Sequence, residues 1–260
     1  MRLAVHQTAG TFGDPAANLA ALAATAAEAA EAGAELLVLP ELWLTGYNLG
    51  DRAGELAEAA DGASAAAVAE TARRHTLAIL YGFPERAGDD VYNAAQLIDA
   101  CGVRRACYRK AHLFGAAETR LFAAGAAAAP VVEVAGRRVA ILICYDVEFP
   151  EAVRRAALDG AEAVLVPTAL FQPFDFVARQ LVPVRAWENG VYLAYANRCG
   201  AEGDLRYVGL STICGPDGRA LAAAGADAEL LRADLDPAAV AAARTASPYL
   251  RDRRPRLYRS

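Results

Sequence analysis

Several features that would place a chain in a simple functional class are missing here. The 260 residues contain no apolar run approaching the roughly 18 residues of a membrane span, so we expect no membrane partner. The formal charge is −5, so the basic face of a non-specific nucleic-acid binder is not provided and no nucleic-acid partner is expected. The chain starts with MRLAVHQ, which is typical of a strand and not of a signal peptide.

Cysteine is scarce and irregularly placed. It occurs at positions 101, 107, 144, 199 and 214, an odd number without a CxxC pair. This spacing disfavours both a disulfide framework and a zinc cluster. We therefore expect free thiols, no metal and a cytoplasmic location.

Lysine is nearly absent. Lys110 is the single lysine among the 26 basic residues, and all the others are arginine. Since arginine is used wherever a solvated cation suffices, Lys110 is a candidate for a compact point charge that a planar guanidinium cannot imitate. The alternative is drift that left one lysine by accident.

Hydrophobic residues are abundant, at 55% of the chain against 22% charged, which provides a large core and excludes a disordered chain. The length favours one domain over two small ones. We predict a single domain over residues 1–260, with residues 245–260 as a C-terminal tail. The stretch RDRRPRLYRS that ends this tail is basic and predicted to be extended.

Strand-like and helix-like segments alternate along the chain. Asp14 is placed to cap a helix over Pro15–Ala32. A second helix is predicted over Phe174–Asn189, with a kink at Pro183. Mixed αβ units with antiparallel hairpins favour a layered α/β sandwich with mixed sheets. The two predicted hairpins join Tyr92–Asp99 to Val103–Arg109 and Val131–Val134 to Arg138–Ile143.

Cys144 is the best candidate nucleophile. It ends the apolar run VAILIC and is followed by YDVEFPE. A strand that turns into a helix at this point projects a side chain into an open crevice and offers backbone N–H groups to an oxyanion. The alternative is a buried core cysteine, which is the interpretation preferred for the other four.

A thiol needs a base, and glutamate is the alternative to histidine for that role. None of His6, His75 and His112 is accompanied by an obvious Cys-His-Asn pattern. Glu41 follows the apolar run LLVLP at a strand end, where open sheets place their ligands. Taken alone, Glu41 would more simply be a solvated loop acid.

A strand-end glutamate, the single lysine and a strand-end cysteine occur in this order in three segments that resemble the nitrilase superfamily of carbon–nitrogen hydrolases. The segments are LPELWLTGYN (39–48), YRKAHLFG (108–115) and LICYDVEFPE (142–151). Three separate matches in the family order are a specific signal, unlike one short motif. Weaker agreement extends the resemblance over nearly the whole chain, through 166–170, 185–200 and 209–218.

The resemblance implies a four-layer αββα sandwich with two mixed β-sheets and a Glu-Lys-Cys triad. On the matching motifs, Glu41 would be the general base and Cys144 the nucleophile. Lys110 and the backbone N–H of Tyr145 would hold the oxyanion. Glu118, eight residues after Lys110, would position the substrate and support the triad. Family members pair through helices, so a homodimer is expected, and the chemistry needs no metal and no cofactor.

The residues that line the substrate pocket are less clearly specified. Phe114 lies where the family often carries an aromatic residue, Tyr145 follows the nucleophile and Phe171 follows the strand VPTAL. Core packing is the alternative for each of the three. For Phe149, core packing is the preferred interpretation.

The residues after the nucleophile narrow the expected reaction. Tyr145-Asp146 is the amidase-like form, whereas true nitrilases typically carry Trp-Glu. One family branch acts on ω-amides of dicarboxylic acids and has CYDxRFPE; Glu148 replaces its arginine here, which makes an anionic substrate less expected. We predict an amidase that releases ammonia from a small, neutral or hydrophobic carboxamide. The alternatives are a nitrilase or N-carbamoyl amide hydrolase on the same triad, acyl transfer to another acceptor, or a non-catalytic binding protein of the same fold.

Overall fold

The secondary structure alternates between strands and helices in a computed structural model that describes residues 1–257; residues 258–260, which end the predicted tail, lie outside the described part. The strands are β1 (Arg2–Gln7), β2 (Leu36–Val38), β3 (Ala78–Ala87), β4 (Asp90–Ile98), β5 (Arg104–Arg109), β6 (Val131–Val134), β7 (Arg137–Ile141), β8 (Ala163–Pro167), β9 (Tyr192–Ala196), β10 (Ala201–Glu202), β11 (Leu205–Arg206), β12 (Thr212–Cys214), β13 (Ala220–Ala223) and β14 (Glu229–Asp234). The helices are α1 (Pro15–Glu31), α2 (Arg52–Glu55), α3 (Ala63–His75), α4 (Gly115–Leu121), α5 (Pro150–Leu158), α6 (Val182–Asn189), α7 (Pro237–Ala246) and α8 (Tyr249–Asp252).

Two six-stranded sheets are formed by these strands. The first has the order β14-β1-β2-β3-β4-β5, in which β1, β2 and β3 are parallel and the remaining neighbours antiparallel. The second has the order β13-β12-β9-β8-β7-β6, in which β7, β8 and β9 are parallel. Both sheets are therefore mixed, which confirms the predicted α/β class.

The sheets pack face to face and helices cover their outer faces, giving the four layers αββα. Side chains of both sheets, such as Val5 and Ile141, form one buried cluster between them. Ala4, the neighbour of Val5, points to the opposite face, as the two-residue period of a strand requires. There it joins a second cluster in which Leu22 of α1 packs near Ile79 of β3.

Most predicted elements are present close to their predicted bounds. Asp14 caps α1, since its Oδ1 accepts a hydrogen bond of 3.0 Å from the Ala17 N–H, and Pro15 occupies the first turn. Both predicted hairpins form, as the antiparallel pairs β4–β5 and β6–β7. Short-range signals such as a cap or a turn residue were sufficient here because each of these features involves neighbours in sequence.

Two segments differ from the prediction. The helix expected over Phe174–Asn189 begins with a π-helical turn at Val177–Leu181 and becomes α-helical from Val182. Pro183 has no N–H to donate, and the wider turn precedes it directly. The basic tail, predicted to be extended, instead contains the end of α8 and a 3₁₀ turn at Pro255–Leu257.

The C-terminal helix α8 packs against α6 through an aromatic contact that could not be predicted from the local sequence of α8. The ring of Tyr249 meets that of Trp187 on α6 edge to face at 5.0 Å between centroids. A contact between residues so far apart in sequence explains why the charge pattern alone misjudged this segment. Across residues 1–257, no helix combines the length and the apolar character needed to cross a membrane.

Candidate active site

The predicted triad residues each follow a strand, and the strands come from both sheets. Glu41 lies just beyond β2, Lys110 directly after β5 and Cys144 just beyond β7. Lys110 Nζ lies 2.7 Å from Glu41 Oε1 and 2.7 Å from Glu118 Oε1, so one ammonium is shared by two carboxylates. All three of these charged side chains are buried.

The segment that carries Glu41 is held by a close approach of two backbones. Gly82 of β3 lies beneath it, and a Cβ atom at Gly82 would stand 2.7 Å from the Pro40 carbonyl oxygen and press on the backbone N of Leu42. Leu42 itself has a φ of +46°, a left-handed conformation that is unusual for leucine. Tertiary contacts maintain this conformation at the residue directly after Glu41, whose own side chain is fully buried.

The two carboxylate oxygens of Glu41 differ in their hydrogen bonds. Oε1 accepts from Lys110 Nζ and, at 2.7 Å, from the amide of Asn93. Oε2 is buried and has no hydrogen-bond partner among the described residues. A buried acceptor without a partner is costly and is available to a proton donor or a ligand group.

Glu118, on α4, is fixed through both of its oxygens. Oε1 accepts from Lys110 Nζ and from the hydroxyl of Tyr47 at 2.6 Å. Oε2 accepts from the backbone N–H of Phe114 at 2.8 Å. The carboxylate therefore connects the lysine, the start of α4 and the loop after β2.

Burial changes the titration of the charged cluster. It raises the pKa of Glu41 above its usual value, and the charge of Lys110 works against this shift. For Lys110, burial acts to lower the pKa, but the charges of Glu41 and Glu118 outweigh it and hold the pKa well above its usual value. Lys110 therefore remains an ammonium ion, whereas Glu41 accepts a proton more readily than an exposed glutamate does.

Cys144 stands at the entrance to a sharp turn. Its φ is +44°, and it opens the 3₁₀ turn Cys144–Glu148. Only 9% of the residue is exposed. Burial, followed by the charge of Glu41, raises the pKa of the Cys144 thiol well above its usual value, although Lys110 opposes the shift. The resting side chain is thus a thiol, and a base is needed to make it a nucleophile.

Asp146 fastens this turn to the segment after β5. Its carboxylate accepts from the Ile143 N–H at 3.1 Å and from the Tyr108 hydroxyl at 3.0 Å. The His112 N–H donates to it at 2.9 Å, and His112 Nδ1 lies 2.7 Å away. His112 is thereby engaged with Asp146, consistent with the lack of a Cys-His-Asn pattern in the sequence.

Arg185, on α6, supports the same turn from the other side. Its Nε donates to the Val147 carbonyl at 3.0 Å and its Nη2 to the Glu148 carbonyl at 2.8 Å. The third contact is an ion pair with Glu188 at 3.0 Å. A buried arginine that caps two carbonyls fixes the backbone just after Cys144.

A cavity of about 260 Å³ opens over the nucleophile candidate. Phe114, Tyr145 and Phe171, all predicted from the sequence, line it; Phe149, predicted to be core, is half-buried and stacks on His112 at 3.9 Å between ring centroids. The remaining lining is mostly apolar but includes the carboxylate of Glu148, which does not contact Lys110. The full lining comprises Tyr47, Phe114, Cys144, Tyr145, Glu148, Ala169, Leu170, Phe171, Phe174 and Phe176.

Several residues of the site were not singled out from the sequence. Tyr47 lies within the matched segment LPELWLTGYN, which was an available signal. Asn93 is a buried polar residue of β4, as is Gln96, and the sequence alone does not distinguish the two. Arg198 and Glu202 form a buried ion pair of 2.7 Å. Their opposite charges four residues apart, directly after an apolar strand, were the available signal.

No group of three or more His, Cys, Asp or Glu side chains within residues 1–257 is arranged to hold a metal ion. The five cysteines are free thiols. The arrangement brings together a buried thiol, a carboxylate with a raised pKa and a fixed ammonium, which together can activate a nucleophile and stabilise an oxyanion.

Comparison with known proteins places this site in a family. The family model for the carbon-nitrogen hydrolases matches residues 2–245. A Pseudomonas protegens protein, "Hydrolase in pqqF 5'region", is 52% identical over 86% of this chain and 80% of its own. An (R)-stereoselective amidase from Pseudomonas sp. is 35% identical over 98% of this chain and 92% of its own. The crystal structure of an amidase from Nesterenkonia sp. has a TM-score of 0.90 and 39% identity, covering 99% and 95% of the two chains. The chain belongs to the carbon–nitrogen hydrolase family, the nitrilase superfamily, and is a carbon–nitrogen hydrolase.

Proposed function

We propose that the chain is an amidase that hydrolyses a small carboxamide to a carboxylic acid and ammonia through a thioester on Cys144. The observation that carries the proposal is the buried Lys110 ammonium, held at 2.7 Å by both Glu41 and Glu118 beside a cavity that contains Cys144. Such a site combines a base, a cation and a nucleophile without a histidine.

In the first step, Glu41 takes the proton of the Cys144 thiol and the sulfur attacks the amide carbonyl carbon. The free Oε2 of Glu41 and its raised pKa suit a base that must bind and later release this proton. The carbonyl π electrons move to oxygen, which becomes an oxyanion.

The oxyanion would be held by the ammonium of Lys110 and the backbone N–H of Tyr145. A lysine fixed by two carboxylates needs no rearrangement as the charge develops. Glu41 then delivers its proton to the nitrogen, the carbon–nitrogen bond breaks and ammonia leaves. The acyl group remains on Cys144 as a thioester.

Hydrolysis of the thioester completes the cycle. Glu41 deprotonates a water molecule, which attacks the thioester carbonyl, and the carbon–sulfur bond then breaks. The thiolate of Cys144 recovers its proton, and the carboxylic acid leaves. Through this sequence Glu118 would position Lys110 and, by way of the Phe114 N–H, the start of α4.

A small substrate is supported by the dimensions and lining of the cavity. Its volume of about 260 Å³ is at the lower end for ligand pockets, and Phe114, Tyr145 and Phe171 provide apolar walls. The related Nesterenkonia amidase has been crystallised, as variants, in complex with acrylamide and with butyramide. We therefore propose short carboxamides as substrates, in keeping with the sequence-based expectation.

A homodimer is part of the proposal, as the family resemblance implied. The first two α-helices that follow Cys144 along the chain carry exposed apolar side chains, namely Leu158 on α5 and Val184 and Trp187 on α6. Their burial against a second copy would remove apolar surface from water. The cytoplasmic location and the single domain over residues 1–260 stay predictions.

The decisive experiment measures ammonia release from acrylamide, propionamide, butyramide and benzamide by purified protein. Cys144→Ala is compared with Cys101→Ala, which removes an exposed thiol instead. We expect turnover that is lost in the first variant and kept in the second. Thioester formation is checked by a mass increase of the intact protein during turnover.

The same assay separates the alternatives. Faster turnover of butyronitrile or of an N-carbamoyl amine would replace the amidase by a nitrilase or a carbamoyl amide hydrolase on the same residues. Hydroxamate formation with added hydroxylamine would reveal acyl transfer. Amide turnover that persists in Cys144→Ala, or no turnover of any compound by folded protein, would contradict the proposal.

A further inference from the structure

The cavity over Cys144 contains one carboxylate that the proposed mechanism does not use. Glu148 lies four residues after Cys144, at the end of the same 3₁₀ turn, and both line the cavity. It is half-buried, and the rest of the wall beside it is aromatic or aliphatic, including Leu170 and Phe174. A charge in an apolar wall needs a partner, and here that partner can come from the substrate.

The Glu148 carboxylate has no partner of its own among residues 1–257. Its backbone carbonyl is held by Arg185 at 2.8 Å, but its side chain receives no hydrogen bond from a described residue. Burial raises the pKa of Glu148, and the charges of Lys110 and Arg185 lower it without outweighing the burial. The carboxylate is therefore under-solvated, with its position fixed by the backbone.

The two cations nearest to Glu148 are engaged elsewhere. Lys110 is balanced by Glu41 and Glu118, both at 2.7 Å. Arg185 donates two hydrogen bonds to carbonyls and pairs with Glu188 at 3.0 Å. In the proposed mechanism Lys110 faces the oxyanion at the carbonyl carbon, and Arg185 holds the turn after Cys144, so neither is left to pair with an anionic group on the acyl chain. Glu148 would repel such a group.

The aromatic side chains add to the same preference. Phe171 and Phe174 pack edge to face at 5.7 Å between centroids, and Phe114 contacts both. Phe176, at the same cavity, is half exposed. Ring faces attract cations, and a carboxylate among aromatic rings is a common way to bind an ammonium group.

We propose that Glu148 makes this site selective for carboxamides whose acyl group carries an ammonium a few bonds from the carbonyl carbon. The proposal rests on the proposed amidase function and assigns it a substrate class. The acyl ammonium would donate to the Glu148 carboxylate while the carbonyl carbon meets Cys144. The sequence suggested a neutral or hydrophobic substrate because it could not decide whether Glu148 lines the cavity.

The test uses three amides of closely matched length at neutral pH. Pentanamide, 4-aminobutanamide and glutaramate end in a methyl, an ammonium and a carboxylate respectively. We expect kcat/KM for 4-aminobutanamide to exceed that for pentanamide by about tenfold or more, since hydrogen bonds to charged groups are among the stronger ones. Glutaramate should be the poorest of the three.

Substitutions at Glu148 test whether its carboxylate causes the preference for an ammonium group. Glu148→Gln keeps the shape of the side chain, and the ratio of kcat/KM for the ammonium and methyl amides should fall towards one. Glu148→Arg should favour glutaramate over 4-aminobutanamide. Glu151→Gln, at an exposed glutamate on α5 outside the cavity, is the matched control and should leave the wild-type ratio unchanged.

Binding to Cys144→Ala, measured by calorimetry, separates the failure of this inference from failure of the amidase function. Turnover of all three amides with equal or better use of pentanamide, or a ratio that is unchanged in Glu148→Gln, would overturn the inference and leave the amidase intact. No turnover, with tighter binding of 4-aminobutanamide that Glu148→Gln removes, would support the ammonium site and overturn the hydrolysis. No turnover with equal binding of the two amides would overturn both.

Discussion

At the residue scale, the proposed mechanism depends on Lys110 as a point charge. Its ammonium contacts two carboxylates at 2.7 Å and is inaccessible to solvent. A guanidinium is planar and larger, so it cannot occupy this position and still face the carbonyl oxygen of a substrate. The choice of lysine in a chain that otherwise uses arginine is explained by this geometry.

Lys110→Arg should therefore abolish most activity while keeping the charge. We expect kcat to fall by about 10²–10³, the usual loss when one oxyanion donor is removed. Steady-state amide turnover, with circular dichroism to establish that the variant is folded, measures this. Near-normal turnover by a folded Lys110→Arg protein would show that Lys110 does not hold the oxyanion.

The pH dependence of turnover should report the environment of Glu41. As a base, Glu41 works only when ionised, so activity rises as the pH increases through its pKa. Burial raises this pKa and the charge of Glu118 adds to the shift. The acid limb of kcat/KM should thus lie above about pH 4.3, the usual value for an exposed glutamate.

Glu118→Gln tests which groups set that limb. This variant removes the negative charge that raises the pKa of Glu41, and Lys110 then has Glu41 as its one carboxylate partner. The pKa of Glu41 should fall, so the acid limb of the pH profile should move to lower pH. Maximal activity should also be reduced. The matched control is Glu151→Gln, which should leave the profile in place. A limb that stays fixed, or moves to higher pH, in Glu118→Gln would argue against Glu41 as the titrating base.

At the element scale, the loop after β2 is built around a buried ion pair. Arg198 pairs with Glu202 at 2.7 Å and donates to the carbonyls of Glu41 and Leu42, both at 3.3 Å. Glu202 in turn accepts from the Tyr47 N–H at 2.9 Å. The segment that carries the proposed base is therefore shaped by the residues around β10.

Arg198→Met leaves the Glu202 charge buried without its partner. We expect a loss of about 3–5 kcal/mol in the free energy of unfolding, measured by denaturant titration. The control is Arg155→Ala, which breaks an exposed pair with Asp159 and should change stability little. Equal, small losses in both variants would show that the buried pair does not organise the loop.

Gly82 is the point where β3 passes under the Glu41 segment. A methyl group there would meet the Pro40 carbonyl oxygen at 2.7 Å, and the three nearest atoms, on Pro40, Glu41 and Leu42, are all backbone atoms that cannot swing away. Gly82→Ala should cost about 1–3 kcal/mol through overpacking and should reduce kcat by displacing Glu41. Gly54→Ala, in α2, is the control, because a Cβ atom there would have only the Arg86 side chain nearby, at 3.8 Å. Both variants are compared by denaturant titration and by amide turnover. If the two variants behave alike, the close approach is not a constraint.

At the scale of the whole molecule, the two sheets bring the site together from distant parts of the chain. Lys110 and Glu41 are 69 residues apart, and Arg198 and Glu41 are 157 apart. Lys110 and Glu41 follow strands of the first sheet, β5 and β2, whereas Cys144 and Arg198 follow strands of the second, β7 and β9. The proposed base and nucleophile therefore meet through the packing of the first sheet against the second, which buries one large apolar cluster between them. Loss of the sandwich would separate the proposed base from the nucleophile.

The exposed apolar faces of α5 and α6 predict association at the same scale. Val184→Arg places a charge in the proposed dimer interface and should shift the mass measured by light scattering towards the monomer. Val103→Arg changes an equally exposed valine at the turn between β4 and β5 and should leave the mass unchanged. A wild-type protein that is monomeric at micromolar concentration would contradict the dimer.

The α/β class with mixed sheets and the candidates for the central residues could be predicted from the sequence alone. Apolar runs predict the strands, and Glu41 follows such a run whereas Cys144 ends one, so the positions of these two residues at strand ends could be anticipated. The scarcity of lysine identified Lys110 without any structure. These signals are local, because they depend on neighbours in the chain or on composition.

The side chains that complete the site become apparent only in the folded chain. Asn93 on β4 reaches Glu41, which lies beyond β2, across the intervening strand β3, and Tyr47 reaches Glu118 from another loop. Glu148 proved to line the cavity, and the basic tail formed helical turns where a local reading predicted an extended chain. Each of these contacts joins segments that are far apart in sequence. The burial of their side chains and the pairing of their charges arise only when both sheets and their loops have packed together.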